Sequence, residues 1–333
     1  IERIKEKLKG ADIFMVDESE IRDVSFVNIL VRRIDDPQTT YLIMTKDLEH
    51  APNKNIICQV VEDALHLMEV PRERFLLLIS DAAPYMHAAK NVLVSFYPNM
   101  FHITCAAHLL HNCVLRVKSF FVAVDELIAR VQACIVKNRK RRQALKNAVQ
   151  LPPSVVVTRW ASWLKAALYY AENLPKVRDV INSFSGEGIL TQRAKDACNS
   201  AALPQELLAI KRDYENFTKL IVTMQDSTYS IEQASHDFDN LASSGGLGKD
   251  SANIRVYLKE RLKRVGWQKI MEMKNADLSP SQYVHLRNCQ ATSSSIERSF
   301  SIMKNILRDN RPFKKENVFK YVAACYNSKL FHK

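Results

Sequence analysis

The beginning of the chain shows three short runs of apolar residues separated by polar ones. The runs cover residues 11–16, 24–34 and 41–44. Their length and their content of Val, Ile, Phe and Tyr predict three β-strands that follow one another as a meander. Asp17 directly ends the first run.

Helices and buried strands alternate in the next part of the chain. Apolar residues at helical spacing predict amphipathic helices, and the continuous apolar run at 75–79 predicts a buried strand, which Asp81 ends. The predicted elements in order are a helix over 53–69, a strand over 75–79, a helix over 85–97, a strand over 101–104 and a helix from about Cys105. A meander followed by alternating elements indicates an α/β layer with a mixed sheet rather than a doubly wound one.

The strand signal nearly disappears after residue 118. Helices are predicted over 120–137, 139–149, 159–171, 175–185, 204–223, 228–242, 251–273, 294–308 and 315–326. We therefore predict an α/β fold in three parts. The first part of the mixed-sheet domain covers 1–118, an all-helical insertion domain covers 119–275, and C-terminal helices at 276–333 complete the first domain.

Composition and charge narrow the class of protein. The 333 residues exceed what one hydrophobic core usually holds, and 47% hydrophobic with 25% charged residues is typical of a soluble globular protein. The net charge of +12 favours an anionic partner, nucleic acid before acidic membrane, although a soluble protein can be basic without such a partner. No apolar stretch is long enough to span a bilayer, so no membrane partner is expected.

Other features bear on the compartment and on the class of chemistry. Seven scattered cysteines without a CxxC pair indicate a reducing compartment. The sequence begins at Ile1 rather than Met, so we expect it to be part of a longer protein, with any preceding DNA-binding module outside it. It contains no phosphate-binding loop, dinucleotide fingerprint or nucleophile elbow, so nucleotide-driven and serine-hydrolase chemistry lack support.

Three acidic residues occupy positions that suit metal binding. Asp17 and Asp81 end predicted strands, and Glu297 lies near the start of a predicted helix. Two-metal phosphodiester chemistry needs carboxylates that converge from such positions on two divalent ions about 4 Å apart. Each acid also has a structural alternative: a strand-to-turn junction for Asp17, a helix cap for Asp81, and a capping box of Ser294 with Glu297.

Histidine and cysteine residues cluster at the last predicted strand and the helix after it. The cluster consists of His102, Cys105, His108 and His111, whose types and close spacing allow a zinc site. Three ligands on one continuous helix do not easily surround one ion. We therefore favour the interpretation that His108 and His111 share one helical face near the strand end.

Basic residues are concentrated in three segments. The densest run, at 137–142, includes Lys140, Arg141 and Arg142. Such a run is a solvated helix face, a phosphate contact or a nuclear import signal. Smaller basic clusters lie at 259–264 and 308–315.

Arg159 and Trp160 follow a Pro-Pro turn and suit contact with DNA. An arginine pairs with phosphate, and a tryptophan stacks on an unpaired base. The alternative is that the tryptophan packs in the core of a helical domain.

Four segments together resemble the hAT superfamily of DNA transposases. In chain order they are similar to the second-aspartate block, the C-x-x-H block, the R-W block and the block that supplies the last acid: Leu78–Met86, Thr104–His111, Thr158–Trp160 and Ser293–Ser301. Any one block is weakly specific, but four in order are strongly specific. The similarity covers essentially the whole chain.

The resemblance implies an RNase H-like mixed-sheet core interrupted by the large helical insertion. It implies that Asp17, Asp81 and Glu297 are the catalytic ligands of two divalent metal ions, Mg²⁺ or Mn²⁺. Members of the superfamily cut DNA at the ends of a mobile element, form hairpins in the flanking DNA and join the excised ends to a target. The partners implied are therefore transposon terminal repeats and target DNA.

Further roles follow from the resemblance. It implies that Arg159 and Trp160 assist hairpin formation, with Trp160 stabilising a flipped base, and that Cys105 and His108 support the site near the scissile phosphate. It also implies location in the nucleus and an assembly of at least a dimer through the C-terminal region. The first-aspartate block departs from the pattern of relatives, which often have Thr or Trp after the aspartate, and Asp23 is the alternative to Asp17.

We therefore expect a metal-dependent DNA transposase. The first alternative is a domesticated, transposase-derived regulatory protein that binds DNA without cutting it. The second is a helical interaction protein that uses the insertion and the C-terminus only for dimerisation. Absent or salt-independent DNA affinity would favour the second.

Overall fold

A computed structural model describes most of the chain. The described residues are 1–10, 12–21, 24–36, 38–48, 50–136, 138–156, 160–185, 188–243, 251–272, 278–308 and 315–331. For 13–21, 24–25, 307–308, 315–316, 318 and 329–331 the description covers the backbone only.

The described strands form one five-stranded mixed sheet in the order β3-β2-β1-β4-β5. The strands are β1 Ile13–Ile21, β2 Val24–Arg32, β3 Tyr41–Leu48, β4 Leu77–Ser80 and β5 Phe101–Thr104. β1, β2 and β3 pair as an antiparallel meander, whereas β4 pairs in parallel with β1 and β5 in parallel with β4. The chain therefore has a mixed α/β fold, as the apolar runs predict.

One face of the sheet packs against α2 Lys54–Leu67 and α3 Pro84–Phe96. Side chains alternate between the two faces of a strand, and Val27, Ile29 and Val31 of β2 join the apolar side of α2 in one buried core. This packing removes most of the apolar side of α2 from water. An amphipathic helix gains most of its stability from such burial.

The opposite face of β2 carries buried polar residues. Asn28 Nδ2 donates a hydrogen bond to Ser299 Oγ over 2.7 Å, and Arg32 Nη1 donates to Gln290 Oε1 over 3.1 Å. Ser299 belongs to α14 Ser294–Arg308, which lies against β1 and β2. The C-terminal part of the chain thus covers the second face of the sheet.

The outer edge of β3 is bonded by a side chain. Leu42 N donates to Asn327 Oδ1 over 3.1 Å, and Asn327 Nδ2 donates to Leu42 O over 3.0 Å. Asn327 lies in α15 Lys315–Phe331. The amide group therefore takes the place that a neighbouring strand would occupy.

The outer edge of β5 is covered by a loop. Thr104 N donates to Val265 O over 2.9 Å. The next residue, Gly266, has φ +90°, and a Cβ atom there would lie 1.9 Å from His102 O. Only glycine fits this backbone conformation and this close approach.

Contacts divide the chain into two compact units. The sheet unit comprises Ile1–Leu109, Met224–Asp239 and Glu260–Lys333, and the helical unit comprises Leu110–Thr223 and Asn240–Lys259. The predicted boundaries at 119 and 275 differ from this division. Residues 224–239 group with the sheet unit because they bond to its C-terminal part, for example where Thr292 Oγ1 donates to Met224 O over 3.1 Å.

The helical unit contains five complete helices among its described residues. They are α5 Val122–Val136, α6 Arg139–Ala148, α7 Ser162–Ser183, α8 Ile189–Cys198 and α9 Leu203–Thr223. The two helices predicted over 159–171 and 175–185 are wrong, since α7 continues through Pro175. Proline removes one helical hydrogen bond, but the buried side chains of Leu174, Val177 and Ile181 keep the helix packed on both sides of it.

Six other α-helices are present among the described residues. They are α1 Glu2–Lys7, α4 Ala106–Lys118, α10 Ile231–Ala242, α11 Ala252–Leu262, α12 Trp267–Met271 and α13 Pro280–Asn288. The single helix predicted over 251–273 is wrong, because the left-handed conformation of Gly266 separates α11 from α12. None of the described helices combines the length and apolar character needed to cross a membrane.

Candidate functional site

Asp81 lies directly after β4, at the carboxyl end of the strand. Its Oδ1 accepts a hydrogen bond from Ala83 N over 2.9 Å. Ala83 is the N-cap residue of α3, so Asp81 stabilises the turn before the helix without being its cap. The carboxylate is partly exposed and stands where the sheet ends.

Asp17 lies within β1, which continues to Ile21, so its predicted place at the end of the strand is wrong. The polar residues that follow it stay in the ladder with β2, where Asp17 is opposite Asn28. In the parallel ladder Met15 is opposite Ile79. Continuing that register by two residues brings backbone position 17 level with Asp81. The side chain of Asp17 lies outside the description, as does the alternative residue at position 23.

Glu297 lies in the first turns of α14, and its Oε1 is 3.7 Å from His108 Nε2. Burial raises the pKa of the Glu297 carboxyl, and His108 and Lys304 oppose that rise. The predicted capping box is wrong, because Ser294 is the first helical residue and its Oγ accepts a hydrogen bond from Gln290 Nε2 over 2.8 Å. The Glu297 carboxylate is therefore directed to a histidine rather than to a cap.

Three hydrogen bonds meet around Cys105, and we call this group the Cys105 junction. Cys105 N donates to Ser80 O over 2.8 Å, and Ala106 N donates to Ala291 O over 2.9 Å. Ser293 N donates to Cys105 Sγ over 3.2 Å. The junction therefore joins the end of β4, the start of α4 and the segment that precedes α14.

The junction brings two candidate acids onto one hydrogen-bonded frame. Ser80 directly precedes Asp81, and Ser293 lies one helical turn before Glu297. His108, one turn into α4 from Cys105, provides the contact with Glu297. The segments that carry Asp81 and Glu297 are thus both hydrogen-bonded to Cys105 and its neighbour, although the two acids are 216 residues apart in the sequence.

Burial and hydrogen bonding act on the Cys105 thiol in opposite directions. Burial alone would raise its pKa, but His108 and the Ser293 N–H favour the thiolate, and the net pKa is lowered. The sulfur is fully buried. This environment makes the thiol a strong hydrogen-bond acceptor inside the frame rather than a group reached from solvent.

In the predicted His and Cys cluster, His108 interacts with the Cys105 thiol, and each of the four residues also has a partner outside the cluster. These are Ser80 Oγ for His102, Ser293 N for Cys105, Glu297 Oε1 for His108 and Ala161 N for His111. Among the residues whose side chains are described, no three His, Cys, Asp or Glu side chains converge as a metal site. The described geometry therefore gives the zinc alternative no support.

Of the R-W block, Trp160 is described and Arg159 lies outside the described residues. Trp160 is half-buried in the turn directly before α7, and Ala161 after it adopts φ +51°. The tryptophan that packs in the core is Trp163, which is buried and donates a hydrogen bond from Nε1 to Asp125 Oδ1 over 3.0 Å. Trp160 therefore keeps part of its ring accessible beside a strained backbone position.

The basic run surrounds the start of α6. Asn138 caps this helix by accepting a hydrogen bond from Arg141 N. Arg141 is half-buried, with its guanidinium 5.9 Å from the centre of the Phe184 ring, whereas Lys140 and Arg142 are exposed. Arg141 thus has a structural contact, and its two neighbours present their charge to solvent. These residues and Trp160 belong to the helical unit, and the three candidate acids belong to the sheet unit.

Sequence reasoning missed the role of the polar segment 290–295, which leads into α14 and forms its first residues. Gln290, Thr292, Ser293, Ser294 and Ser295 are all buried although they are polar. Hydrogen bonds to Arg32, Met224, Gln290 and Arg298 satisfy four of these side chains, whereas Ser293 Oγ is buried without a hydrogen-bond partner among the described residues. A run of hydroxyl and amide side chains directly before an apolar helix was the available signal.

No protein-family model matches the chain, and no curated protein matches its sequence.

Proposed function

We propose that the chain is a metal-dependent DNA transposase of hAT type with an RNase H-like core. The strand order β3-β2-β1-β4-β5, with an antiparallel meander and two parallel strands, supports the core assignment. The observation that carries the functional proposal is the Cys105 junction. It fixes Ser80, next to Asp81, and Ser293, one helical turn before Glu297, to one hydrogen-bonded frame.

The donor set fits divalent metal ions. Carboxylate oxygens are the ligands that Mg²⁺ and Mn²⁺ prefer, and such sites use few protein carboxylates. Asp81 engages one oxygen with Ala83 N, and Glu297 is partly exposed. With Asp17 at the level of Asp81 in the backbone register, these three residues would hold two ions. Bound there, the ions supply activation of the attacking oxygen and stabilisation of the leaving oxygen.

His108 and Cys105 act as positioning residues in this proposal. His108 restrains the Glu297 carboxylate, and Cys105 fixes the backbone from which α14 starts. A carboxylate held by neighbours needs less reorganisation when a cation arrives. Cys105 directly precedes α4 and His108 lies in the first turn of that helix, so the C-x-x-H spacing brings the imidazole next to the thiol.

The remaining predicted residues contact DNA in this proposal. Trp160 offers a partly exposed ring for a flipped base, with Arg159 beside it in sequence. Lys140 and Arg142 offer exposed charge for phosphates, whereas Arg141 contributes mainly to packing in the helical unit. The nucleus as location and a dimer as the minimal assembly belong to the same proposal.

The test is cleavage by purified protein. Labelled duplexes that carry the repeats flanking the gene, and a supercoiled plasmid, are incubated with Mg²⁺ or Mn²⁺. We expect metal-dependent nicking and hairpin products, and a loss of about 100-fold or more with Asp81→Asn or Glu297→Gln. Asp239→Asn, an exposed acid on α10, is the matched control and should keep full activity.

Three outcomes would reject the proposal. If the wild-type protein binds the duplex but never cuts it, the chain is a non-cleaving DNA-binding regulator. If Asp81→Asn cuts as well as the wild type, the metal site lies elsewhere. The absence of any DNA affinity would leave the helical interaction protein as the remaining class.

A further inference from the structure

A large cleft lies beside the candidate metal site, entirely within the sheet unit. Its volume is about 1120 Å³, and it is lined by parts of α3, β5 and the segment 261–272. Its wall includes Ala82, the residue directly after Asp81. A ligand that fills the cleft therefore extends to within one residue of a candidate metal ligand.

The cleft carries an excess of positive charge, although Lys263 is paired with Glu260 over 2.8 Å. Among the described residues that line it, five are Lys or Arg and one is acidic, Glu272. The cations are Lys90, Arg261, Lys263, Arg264 and Lys269. They come from two segments about 170 residues apart in the sequence, so the fold, rather than one charge run, creates this concentration of charge.

The cationic segment is anchored rather than loose. Val265 O accepts a hydrogen bond from Thr104 N, and Gly266 lies against the backbone of His102. Between them these contacts fix the middle of the segment to the edge of β5. Arg264 and Lys269, on either side of the anchor, are exposed at the cleft.

The positive charges are close enough to affect neighbouring groups. Burial lowers the pKa of the Lys90 ammonium, and the charge of Lys269 lowers it further. Burial also lowers the pKa of His87, the charge of Asp81 opposes this, and Lys90, Arg264 and Arg261 lower it again. A row of anions in the cleft would relieve this repulsion between like charges.

We propose that this cleft binds the sugar-phosphate backbone of duplex DNA next to the scissile position. The inference rests on the proposed function and adds the surface that holds the DNA there. A volume of about 1120 Å³ is only slightly larger than that of a small-molecule pocket, so a short stretch of one strand of the backbone would fill the cleft while the rest of the duplex stays outside. Phosphate contacts of this kind fix the register of a duplex and are independent of base sequence.

Two features favour a duplex backbone over other anionic ligands. The chain has no glycine-rich phosphate loop, and the cations come from α3 and from the segment 261–269 instead of from one phosphate-binding loop. The described lining residues with aromatic rings are Phe101 and His102, which are buried, and His87, whose ring packs edge-on against His102. The cleft therefore lacks the stacking surface that single-stranded nucleic acid requires.

The experiment measures binding without divalent metal. Fluorescence anisotropy follows a labelled random-sequence duplex of about 30 base pairs, the length that a DNA-binding domain readily spans, over a range of salt concentrations. The test variant is Lys90→Gln/Arg264→Gln/Lys269→Gln. We expect its affinity to fall by about 10-fold to 100-fold and its log–log salt slope to decrease by about 2 to 3, close to 0.9 for each lost phosphate contact.

The matched control is Lys54→Gln/Arg72→Gln, two exposed basic residues of the sheet unit outside the cleft. It should keep the affinity and slope of the wild type, apart from the smaller effect of net charge. The single variant Arg264→Lys keeps the positive charge and should therefore keep the salt slope of the wild type. This result would separate the loss of phosphate binding from a folding defect. Unfolding curves check that each variant is folded.

Four results would overturn the inference. They are a slope unchanged in the test variant, an equal loss in the control, equally tight competition by inorganic tripolyphosphate, and no duplex affinity in the wild type. Failure of the proposed function is distinguishable, because it appears as intact duplex binding without metal-dependent cleavage. Conversely, if the protein cuts DNA and the test variant binds DNA as tightly as the wild type, the proposed function stands and the cleft is not the DNA-binding surface.

Discussion

Cys105 Sγ accepts a hydrogen bond from Ser293 N over 3.2 Å, and this contact joins residues 188 positions apart. Both groups are fully buried, so neither can exchange its partner for water. The thiol therefore has a defined structural task, which is to receive the backbone N–H that precedes α14. The first prediction concerns the loss of that acceptor.

Replacing Cys105 with alanine should destabilise the protein by about 1–3 kcal/mol, because a buried N–H is left without an acceptor. Cys105→Ser keeps an acceptor oxygen and should cost less. Urea unfolding at neutral pH measures both. If the proposed function is right, metal-dependent cleavage falls further in the alanine variant than in the serine variant. Equal stability of Cys105→Ala and the wild type would show that Ser293 does not depend on this thiol.

His102 should make the fold sensitive to acid. Its Nε2 lies 2.8 Å from Ser80 Oγ, and burial, with smaller effects of His87 and Lys90, lowers its pKa from 6.5 to about 3. The fold therefore holds the ring neutral, and stability is lost as the pH falls from about 6.5 towards 3. At pH 4 this residue should cost about 3 kcal/mol relative to pH 7.

The variant His102→Gln isolates this effect, because glutamine can still bond Ser80 but does not titrate. Its unfolding free energy should decline less between pH 7 and pH 4 than that of the wild type. Urea unfolding at several pH values gives the difference between the two curves. Parallel curves would contradict the assignment.

Asp12 should act in the opposite direction. Burial raises its pKa from 3.8 to about 6, with Arg74 opposing the rise and Asp35 adding to it. An acid whose folded pKa lies above the unfolded value destabilises the fold when ionised, so this cost is present above pH 6 and disappears as the pH falls to about 4. The shift of about two pH units corresponds to at most about 3 kcal/mol.

Asp12→Asn should therefore stabilise the protein at pH 8 and leave it nearly unchanged at pH 4. Thermal unfolding at the two pH values tests this. Asp35→Asn, at a half-exposed acid nearby, is the comparison and should not stabilise the protein in this way, because it also removes the ion pair of Asp35 with Arg33. A variant that is less stable than the wild type at pH 8 would count against the raised pKa.

Gly266→Ala should destabilise the protein by about 3 kcal/mol or more, because the new Cβ requires both a strained φ and displacement of β5. A Cβ at Gly266 would lie 1.9 Å from His102 O, whereas one at Gly188 would have its nearest neighbour at 3.8 Å. Gly188→Ala is therefore the matched control and should change stability by less than about 1 kcal/mol. Chemical unfolding of the two variants gives the comparison, and equal effects would contradict the close approach at Gly266.

The local pattern of apolar residues was sufficient to predict those helices and strands whose apolar positions are uniformly buried. The continuous apolar run before Asp81 predicted β4 to within two residues, and the helical spacing of apolar residues predicted a helix over 53–69, where α2 covers Lys54–Leu67. β1 was harder, since Asp17 and the polar residues after it interrupt the apolar run while the ladder with β2 continues. Backbone pairing with a neighbour is not visible in a strand's own side chains.

Tertiary contacts account for what the sequence left undetermined. The sequence did not predict Lys90 and Lys269 as binding residues, because only the fold brings α3 next to the segment after α11. The bonds of Cys105 with Ser80 and Ser293 also depend on segments far apart in the chain. Candidate residue types were therefore predictable, whereas their partners needed the fold.

The blocked edges of the sheet have a consequence for solubility at high concentration. An exposed edge strand is a template on which a strand from another molecule adds, which leads to aggregation. Here the side-chain amide of Asn327 occupies the outer backbone of β3, and Val265 with Gly266 occupies that of β5. Each end of the sheet is thus protected by a different device. Removing the Asn327 amide would expose a template for intermolecular strand addition before it disturbed the core.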